Sequence, residues 1–339
     1  MKLYAGIDLH SNNSVIDLLN EKDKVIYDKR LPNDLPTILS ELSPYQSQIE
    51  SIAIESTFNW YWLVDGLIDA GYSVQLVNTA AVQTYSGLKY TDDNHDARWL
   101  AHLLRLNILP TGYIYPKVDR AIRDLLRKRT QMVRIQTTNL LSIQNLIARN
   151  TGGSIKAHLV KRMTAEDIAL QLPNDDHALA LSCNLSVLQQ CHEQVKILEN
   201  AILKRIRLRP EFQSLLTVPG IGKILALTIM LETGDIHRFE KAGNFASYAR
   251  CVQSKRVSNG KKKGENNRKN GNKYLAWAFV EAAHFSIRYS DTIKRFYQRK
   301  CAKTKKVVAL KAVAHKLARA CFYVMRDNVE FDINKAFTS

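Results

Sequence analysis

The sequence predicts an α/β N-terminal domain followed by an all-α, strongly basic remainder. Short apolar runs separated by turn residues fill roughly the first third of the 339 residues, and long stretches with helical apolar spacing fill the rest. The charge also changes sign. Residues 1–100 hold 7 Lys/Arg against 14 Asp/Glu, so the net charge of +17 comes entirely from beyond residue 100. An acidic module joined to a very basic one points to a phosphate-rich partner. The length suits two domains plus a connector. No apolar run approaches the roughly 20 residues that cross a bilayer. The start, MKLYAGIDLHSNN, is neither a secretory signal nor an Arg-rich transit peptide, so the cytoplasm is the expected compartment. Cys183, Cys191, Cys251, Cys301 and Cys321 are scattered and form no CxxC pair, which reads as reduced, structural cysteine rather than a zinc site.

The elements follow in order. LYAGIDL is a strand ending near Asp8, with Gly6 allowing close backbone approach. SVIDLLN follows the turn HSNN and KVIYDKRL follows the turn EKD, giving a three-stranded antiparallel meander. LPTILSELSPY has helical spacing, SIAIES is a buried strand, and WYWLVDGLIDAG is an amphipathic helix stopped by Gly71. SVQLVN is another strand, and NHDARWLAHLLRL is a helix with an apolar face. The order βββαβαβα matches an RNase H-like domain, assigned to residues 1–110.

Residues 117–150 lack Gly and Pro and carry an apolar stripe, and residues 185–208 do likewise. Such a pair forms either a hairpin or coiled-coil arm or two core helices of a bundle. The region 111–208 is read as a helical arm and connector, with oligomerisation as its expected use. Residues 209–335 form a mostly helical basic domain. It contains Pro219-Gly220-Ile221-Gly222, a helix-hairpin-helix-like pattern in which backbone N–H groups can hold a phosphate and which a purely structural turn would also produce.

The acids of the first domain carry the chemistry. Asp8 and Glu55 end strands that are neighbours in the expected sheet. Asp93 and Asp96 sit three apart at a helix start and share a face, with Asp92 replacing Asp93 if the register shifts by one. Converging carboxylates repel unless cations neutralise them, and two Mg²⁺ ions about 4 Å apart would stabilise attacking and leaving oxygens in phosphoryl transfer. Each acid also has a plain structural use as a strand-end or helix-cap residue. His10 and His95 flank the cluster and read as surface residues.

GIDLH, Glu55 in IES and Asp93-Asn94-His95-Asp96-Ala97 resemble the DEDD motif of the IS one-ten family of insertion-sequence transposases. VPGIGKILALTIMLETGDIHRF, SNGKKKG and NGNKYLAWAF resemble that family's C-terminal segments, in the same order. The chain departs from the family pattern at Arg250, Gln253 and Asn259, the last standing where many members have a second Gly.

The resemblance implies a RuvC-like N-terminal domain and a DNA recombinase guided by a structured bridge RNA that pairs with donor and target DNA. It implies that Asp8, Glu55, Asp93 and Asp96 bind Mg²⁺. It places on Ser258, with Ser254 in reserve, a serine that attacks DNA to give a covalent intermediate. It further implies dimers that join as tetramers, one subunit's acids working with another's serine, in a bacterial cell at the nucleoid.

Lys255, Arg256, Lys261, Lys262, Lys263, Arg268, Lys269 and Lys273 surround Ser258 and suit phosphate contact. Further basic residues, Lys294-Arg295, Arg299-Lys300 and Lys303–Lys306, lie beyond them. Tyr274, Trp277, Phe296 and Tyr297 are interleaved as candidates for base stacking or for the core. Two competing readings remain: a metal-only junction nuclease, and a non-catalytic nucleic-acid scaffold.

Overall fold

Residues 1–82, 93–206, 209–254, 256–264 and 270–337 are described by the computed structural model, the side chains of residues 93, 94, 169, 256 and 262 excepted. The chain divides into two units, Met1–Ile114 and Tyr115–Ser339.

The first unit is built on one five-stranded sheet. Its strands are β1 (Leu3–Leu9), β2 (Asn13–Asn20), β3 (Val25–Pro32), β4 (Ile49–Glu55) and β5 (Val74–Val77). They lie in the order β3-β2-β1-β4-β5. The meander β1-β2-β3 is antiparallel, as short turns require, whereas β4 and β5 pair in parallel after helical crossovers. The crossovers are α1 (Leu35–Leu42) and α2 (Tyr61–Asp69). Asp34 caps α1 by accepting from Thr37 N–H.

Period-two alternation sorts the two faces of the sheet. Leu3, Ala5, Ile7 and Leu9 of β1 join Ile16, Leu18, Ile52 and Ile54 in a core under α1 and α2. The even-numbered positions of β1 face the other way, toward the side where Ala53 and Val77 of β4 and β5 pack with Leu100 and Leu104 of α3 (Asp93–Arg105). Gly6 lies on this second face. A Cβ there would stand 1.9 Å from the Ala97 carbonyl oxygen and 2.8 Å from the Ala101 nitrogen, so only glycine lets α3 lie this close to β1. Ala97 and Ala101, one turn apart, supply the matching small surface and are fully buried.

The second unit is helical apart from one hairpin. α4 (Lys117–Thr151) is 35 residues long, about 52 Å at 1.5 Å per residue. It ends at Gly152, which adopts the left-handed conformation expected of a helix stop. Its partner α7 (Asp175–Ile206) begins ten residues before the start at residue 185 that apolar spacing suggests. Asn174 explains the early start, because its side chain accepts from His177 N–H while Asp175 and Asp176 favour the positive end of the helix.

α4 and α7 run antiparallel. Ile122 and Leu126 near the start of α4 share one core with Ile202 and Ile206 at the end of α7. Ile143 and Ile147 share another with Leu181 and Leu185 at the far end, closed by α5 (Ala157–Val160) and α6 (Ala165–Gln171).

The base core gathers α8 (Pro210–Leu216), α9 (Lys223–Thr233), α10 (Ala242–Tyr248), α11 (Lys273–Tyr289), α12 (Asp291–Cys301), α13 (Lys306–Asp327) and α14 (Ile333–Phe337). α9 is its axis, buried at every position from Leu225 to Thr233. Gly220, in the turn before α9, has φ +86° and is pressed against the α11 backbone at Ser286, where a Cβ would lie 2.4 Å from nitrogen. The buried Ser286 hydroxyl donates to the Pro219 carbonyl, so the Pro-Gly-Ile-Gly turn is fastened to α11. No helix among the described residues is long and apolar enough to cross a membrane.

Candidate active site

Asp8 is an even-numbered β1 residue, so it shares the α3 face with Gly6 and is only 4% exposed. The parallel register pairs Ile7 with Ile54, which sets Asp8 beside Glu55 at the carboxyl ends of β1 and β4. Burial, a hydrogen bond with Asp8 and the negative charges of Asp8 and Asp96 together push the Glu55 carboxyl up to about 7. Three acids from β1, β4 and α3 therefore act on one another in a site held partly away from water. Asp93 opens α3 one turn before Asp96, but its side chain is outside the described residues, as is all of Asp92. Among the described residues no three Asp, Glu, His or Cys side chains stand in ligand geometry.

The placement of Asp96 depends on how α3 is held. Gly6 fixes its depth. Arg105 forms a two-pronged bridge to Asp23 at 2.8 Å on both oxygens, and His102 Nδ1 lies 2.7 Å from the same carboxylate. Arg98 reaches the buried Asp17 at 3.7 Å and Asp28 at 3.4 Å. None of these ties is visible as a motif, because each joins α3 to a residue some 70 or more positions away.

His10 is closer to the chemistry than its sequence context suggests. Its Nε2 lies 3.2 Å from Asp8 Oδ2. Its backbone carbonyl accepts from Asn33 Nδ2 at 3.0 Å and Asn59 Nδ2 at 2.9 Å. These bonds join the loop after β1 to the loops after β3 and β4. His95 is half-buried on α3.

In the second unit, Ser258 ends β6 (Arg256–Ser258) and pairs with Lys261 at the start of β7 (Lys261–Gly264). Between them Asn259 and Gly260 have φ +49° and +67°, the two positive values of a type I′ hairpin turn. The departure at Asn259 is thus conformationally apt, since Asn-Gly is the favoured pair for that turn. Ser258 is exposed at the hairpin tip with Lys261 across from it, and no side chain among the described residues hydrogen-bonds its hydroxyl. Ser254 is half-buried at the entry to the hairpin.

Both ends of the loop carrying the hairpin are clamped. Arg250, at φ +55°, donates from Nε to the Asn270 and Gly271 carbonyls, each at 3.0 Å. Asn272 N–H donates to the Tyr248 carbonyl, and the Asn272 side chain caps α11 by accepting from Tyr274 and Leu275 N–H. The same side chain donates to the buried Glu232 at 2.8 Å. Glu232 also takes a bidentate bridge from Arg127, at 2.7 and 2.8 Å, and a bond from Arg123 at 3.2 Å. Burial alone would raise its carboxyl, but Arg127, Arg123 and Asn272 hold it below the usual carboxylate range.

Lys261, Lys263 and Lys273 are exposed. Arg256 and Lys262 lie in the hairpin with side chains outside the described residues, and Lys255, Arg268 and Lys269 lie outside them altogether. Of the aromatics, Phe296 is buried and Tyr274 packs under Arg127, 4.5 Å from its ring centre, whereas Trp277 is 40% exposed. Tyr297 packs at the edge of the base core. All five cysteines are free thiols; Cys191 and Cys321 are buried, Cys183 is exposed, and burial pushes the Cys251 thiol up to about 12.

Known proteins agree with both halves. Residues 5–149 match a family model for DEDD-type IS110 transposases, and residues 212–298 match the Transposase IS116/IS110/IS902 family. The chain is 22% identical over 298 residues to the transposase for insertion sequence element IS1111A of Coxiella burnetii, covering 84% of this chain and 78% of that protein. It is 27% identical over 148 residues to an uncharacterised 43.6 kDa protein of insertion element IS110 from Streptomyces coelicolor, covering 43% of this chain and 36% of that protein.

Proposed function

Because this chain belongs to the IS110 family of insertion-sequence transposases, we propose that it is a metal-dependent DNA recombinase using Ser258 as nucleophile. Its first unit is read as an RNase H-like, RuvC-like domain in which Asp8, Glu55, Asp93 and Asp96 hold two Mg²⁺ ions. The observation that carries the reading is the parallel register that sets Asp8 beside Glu55 at adjacent strand ends, with Asp96 close enough that burial and the two aspartates together raise the Glu55 carboxyl. A partly buried group of hard oxygen donors that repel one another suits a small divalent cation. Bound there, such ions would stabilise the attacking and leaving oxygens of phosphoryl transfer. The protein's own part is to hold Asp8 and Glu55 on adjacent strand ends and to seat Asp96 against them through Gly6.

The serine half of the proposal rests on the hairpin. Ser258 stands at a tip that an Asn-Gly turn makes narrow and that Arg250 and Asn272 anchor at its base. An exposed nucleophile on a projecting hairpin suits delivery to a phosphate held elsewhere, here by the acids of a partner subunit in a dimer or tetramer. Lys255, Arg256, Lys261, Lys262, Lys263, Arg268, Lys269 and Lys273 would grip the DNA and a guiding bridge RNA.

The test uses the element's end DNA with the RNA that co-purifies with the protein. The expected result is a covalent protein–DNA adduct that disappears in Ser258→Ala and in Asp8→Ala. Full strand exchange by Ser258→Ala would sink the serine assignment. The absence of a hydrogen-bonded base at Ser258 among the described residues favours one second reading, a metal-only junction nuclease. In that case Asp8→Ala abolishes cleavage and no adduct forms at any serine.

A further inference from the structure

We infer that Phe58 is a stacking residue for an unpaired base next to the phosphate on which the acidic site acts. This inference rests on the reading of Asp8, Glu55 and Asp96 as a nucleic-acid-processing site.

Phe58 lies three residues beyond Glu55, in the loop between β4 and α2. Chain geometry keeps its Cα within about 11 Å of that of Glu55. It is 86% exposed, more than any other large hydrophobic residue among those described. Single exposed apolar side chains are ordinary on protein surfaces. What sets this one apart is the loop that presents it. Thr57 N–H donates to the Glu55 carbonyl at 2.9 Å, and Thr57 Oγ1 donates to Asn59 Oδ1 at 2.9 Å. Asn59 Nδ2 in turn donates to the His10 carbonyl, two residues beyond Asp8. Trp60 is buried in the sheet core and stacks edge-on against Tyr61 at 4.6 Å.

From Thr57 to Trp60, then, three side chains fasten the loop to the acidic site and to the core, and the fourth is held in water. Displaying a rigid aromatic ring costs hydrophobic burial that a folded protein otherwise gains. The compensation comes when a flat apolar partner covers the ring. The chemistry of the neighbouring carboxylates identifies that partner. A cation-binding acid cluster at the carboxyl ends of β1 and β4 receives a phosphodiester, and a base lies one nucleotide from every phosphate. In intact duplex both faces of a base are already stacked, so Phe58 can engage only a base that is unpaired or turned out. The implied substrate class is DNA opened at the point of cutting, stacked without regard to sequence.

The experiment uses the full chain in Ca²⁺ and two labelled DNA probes, a duplex with a short unpaired bubble and the same duplex fully paired. Wild type is expected to prefer the bubble. Phe58→Ala should weaken bubble binding by about 5- to 150-fold, the range of one aromatic–base stack, and leave the paired probe unaffected. Phe58→Trp should restore the preference. Abasic residues in the bubble should weaken wild-type binding as much as Phe58→Ala does, with no further loss when the two are combined.

Equal binding of the bubble by wild type and Phe58→Ala overturns the inference. So does a wild type that does not distinguish the probes, or an equal loss on both. A Phe58→Ala chain that binds both probes normally but changes its oligomeric state by light scattering assigns the ring to a protein interface and overturns it too. The underlying reading is tested separately on the same probes, by cleavage in Mg²⁺ with Asp8→Asn. Undiminished cleavage there refutes the acidic site whatever Phe58 does.

Discussion

Glu55 and Glu232 are both glutamates taken out of water, the first partly and the second almost wholly, and their surroundings treat them in opposite ways. Glu55 has acids for neighbours, and its carboxyl is pushed up to about 7. Glu232, 1% exposed, receives Arg127, Arg123 and the Asn272 amide, and its carboxyl is held low. A buried carboxylate with its charge and hydrogen bonds answered is a structural part. A cluster of carboxylates facing one another, here with the His10 ring 3.2 Å from Asp8, is the arrangement on which the proposed cation site rests. The first unit has 8 Lys/Arg against 14 Asp/Glu, and the second, with 41 against 18, answers the one buried glutamate among its described residues internally.

The largest expected effect tests that distinction at the acidic end. Asp8→Asn should lower metal-dependent DNA cleavage by about a thousandfold, the scale of roughly 4 kcal/mol of transition-state stabilisation. The melting temperature should not fall, because the change removes a charge that repels Glu55. Cleavage assays and thermal melts on the same preparation check both halves. A substantial loss of stability would mean that Asp8 belongs with Glu232 among the structural acids.

At the other end, Glu232→Gln keeps the shape and removes the charge. Arg123 and Arg127 then lose their counter-ion inside the base core, which should cost about 3 kcal/mol, the lower end expected for breaking a buried ion pair. Chemical denaturation reads this directly. The Asn272 cap and the end of the serine hairpin loop hang from the same carboxylate, so adduct formation should drop with it. If stability stays at the wild-type level, Glu232 is not the anchor its bonds describe.

How far these roles can be read from the sequence depends on the distances involved. The placement of Asp8 and Glu55 is legible because strand ends and strand order are local patterns, and that of Asp96 from helical spacing. The meander, the crossover helices and the long helix from Lys117 are written in apolar period and turn residues. The Glu232 network is hidden, since its partners lie 105, 109 and 40 positions away and no period links them. His10 reads as a surface residue because its contact with Asp8 depends on the curl of the loop after β1. Phe58 is hidden for another reason: within FNWYW an aromatic residue reads as core, and only the fold shows which ring is left out. Gly6 is legible as a close approach, but the sequence does not reveal that the approaching partner is the helix bearing Asp96.

Gly6→Ala sharpens the comparison by moving one acid without removing any. The new methyl would meet the Ala97 carbonyl at 1.9 Å, so α3 must lift away from β1. Overpacking of this kind costs about 1–3 kcal/mol. A displacement near 1 Å at a reacting centre costs about a hundredfold in rate. Cleavage should therefore fall far more than stability, as with Asp8→Asn and unlike Glu232→Gln. A loss of stability with cleavage intact in the folded fraction would detach Asp96 from the site.

The smallest effect is a dependence on pH that belongs to Glu232. Its carboxyl has an ordinary value of 4.5 when unfolded and a lower one when folded, so the folded protein binds the proton less well. The stability this supplies is fully present above about 4.5 and is lost as pH falls through the lowered folded value. Glu232→Gln has no such proton to take up. The stability gap between wild type and Glu232→Gln, measured by denaturant midpoint, should be constant near neutrality and narrow in acid, because protonated glutamic acid and glutamine then present equally neutral groups to Arg123 and Arg127. A gap that persisted undiminished in acid would assign the contribution to shape and hydrogen bonding rather than charge. The contrast between an answered and an unanswered carboxylate would then rest on Glu55 alone.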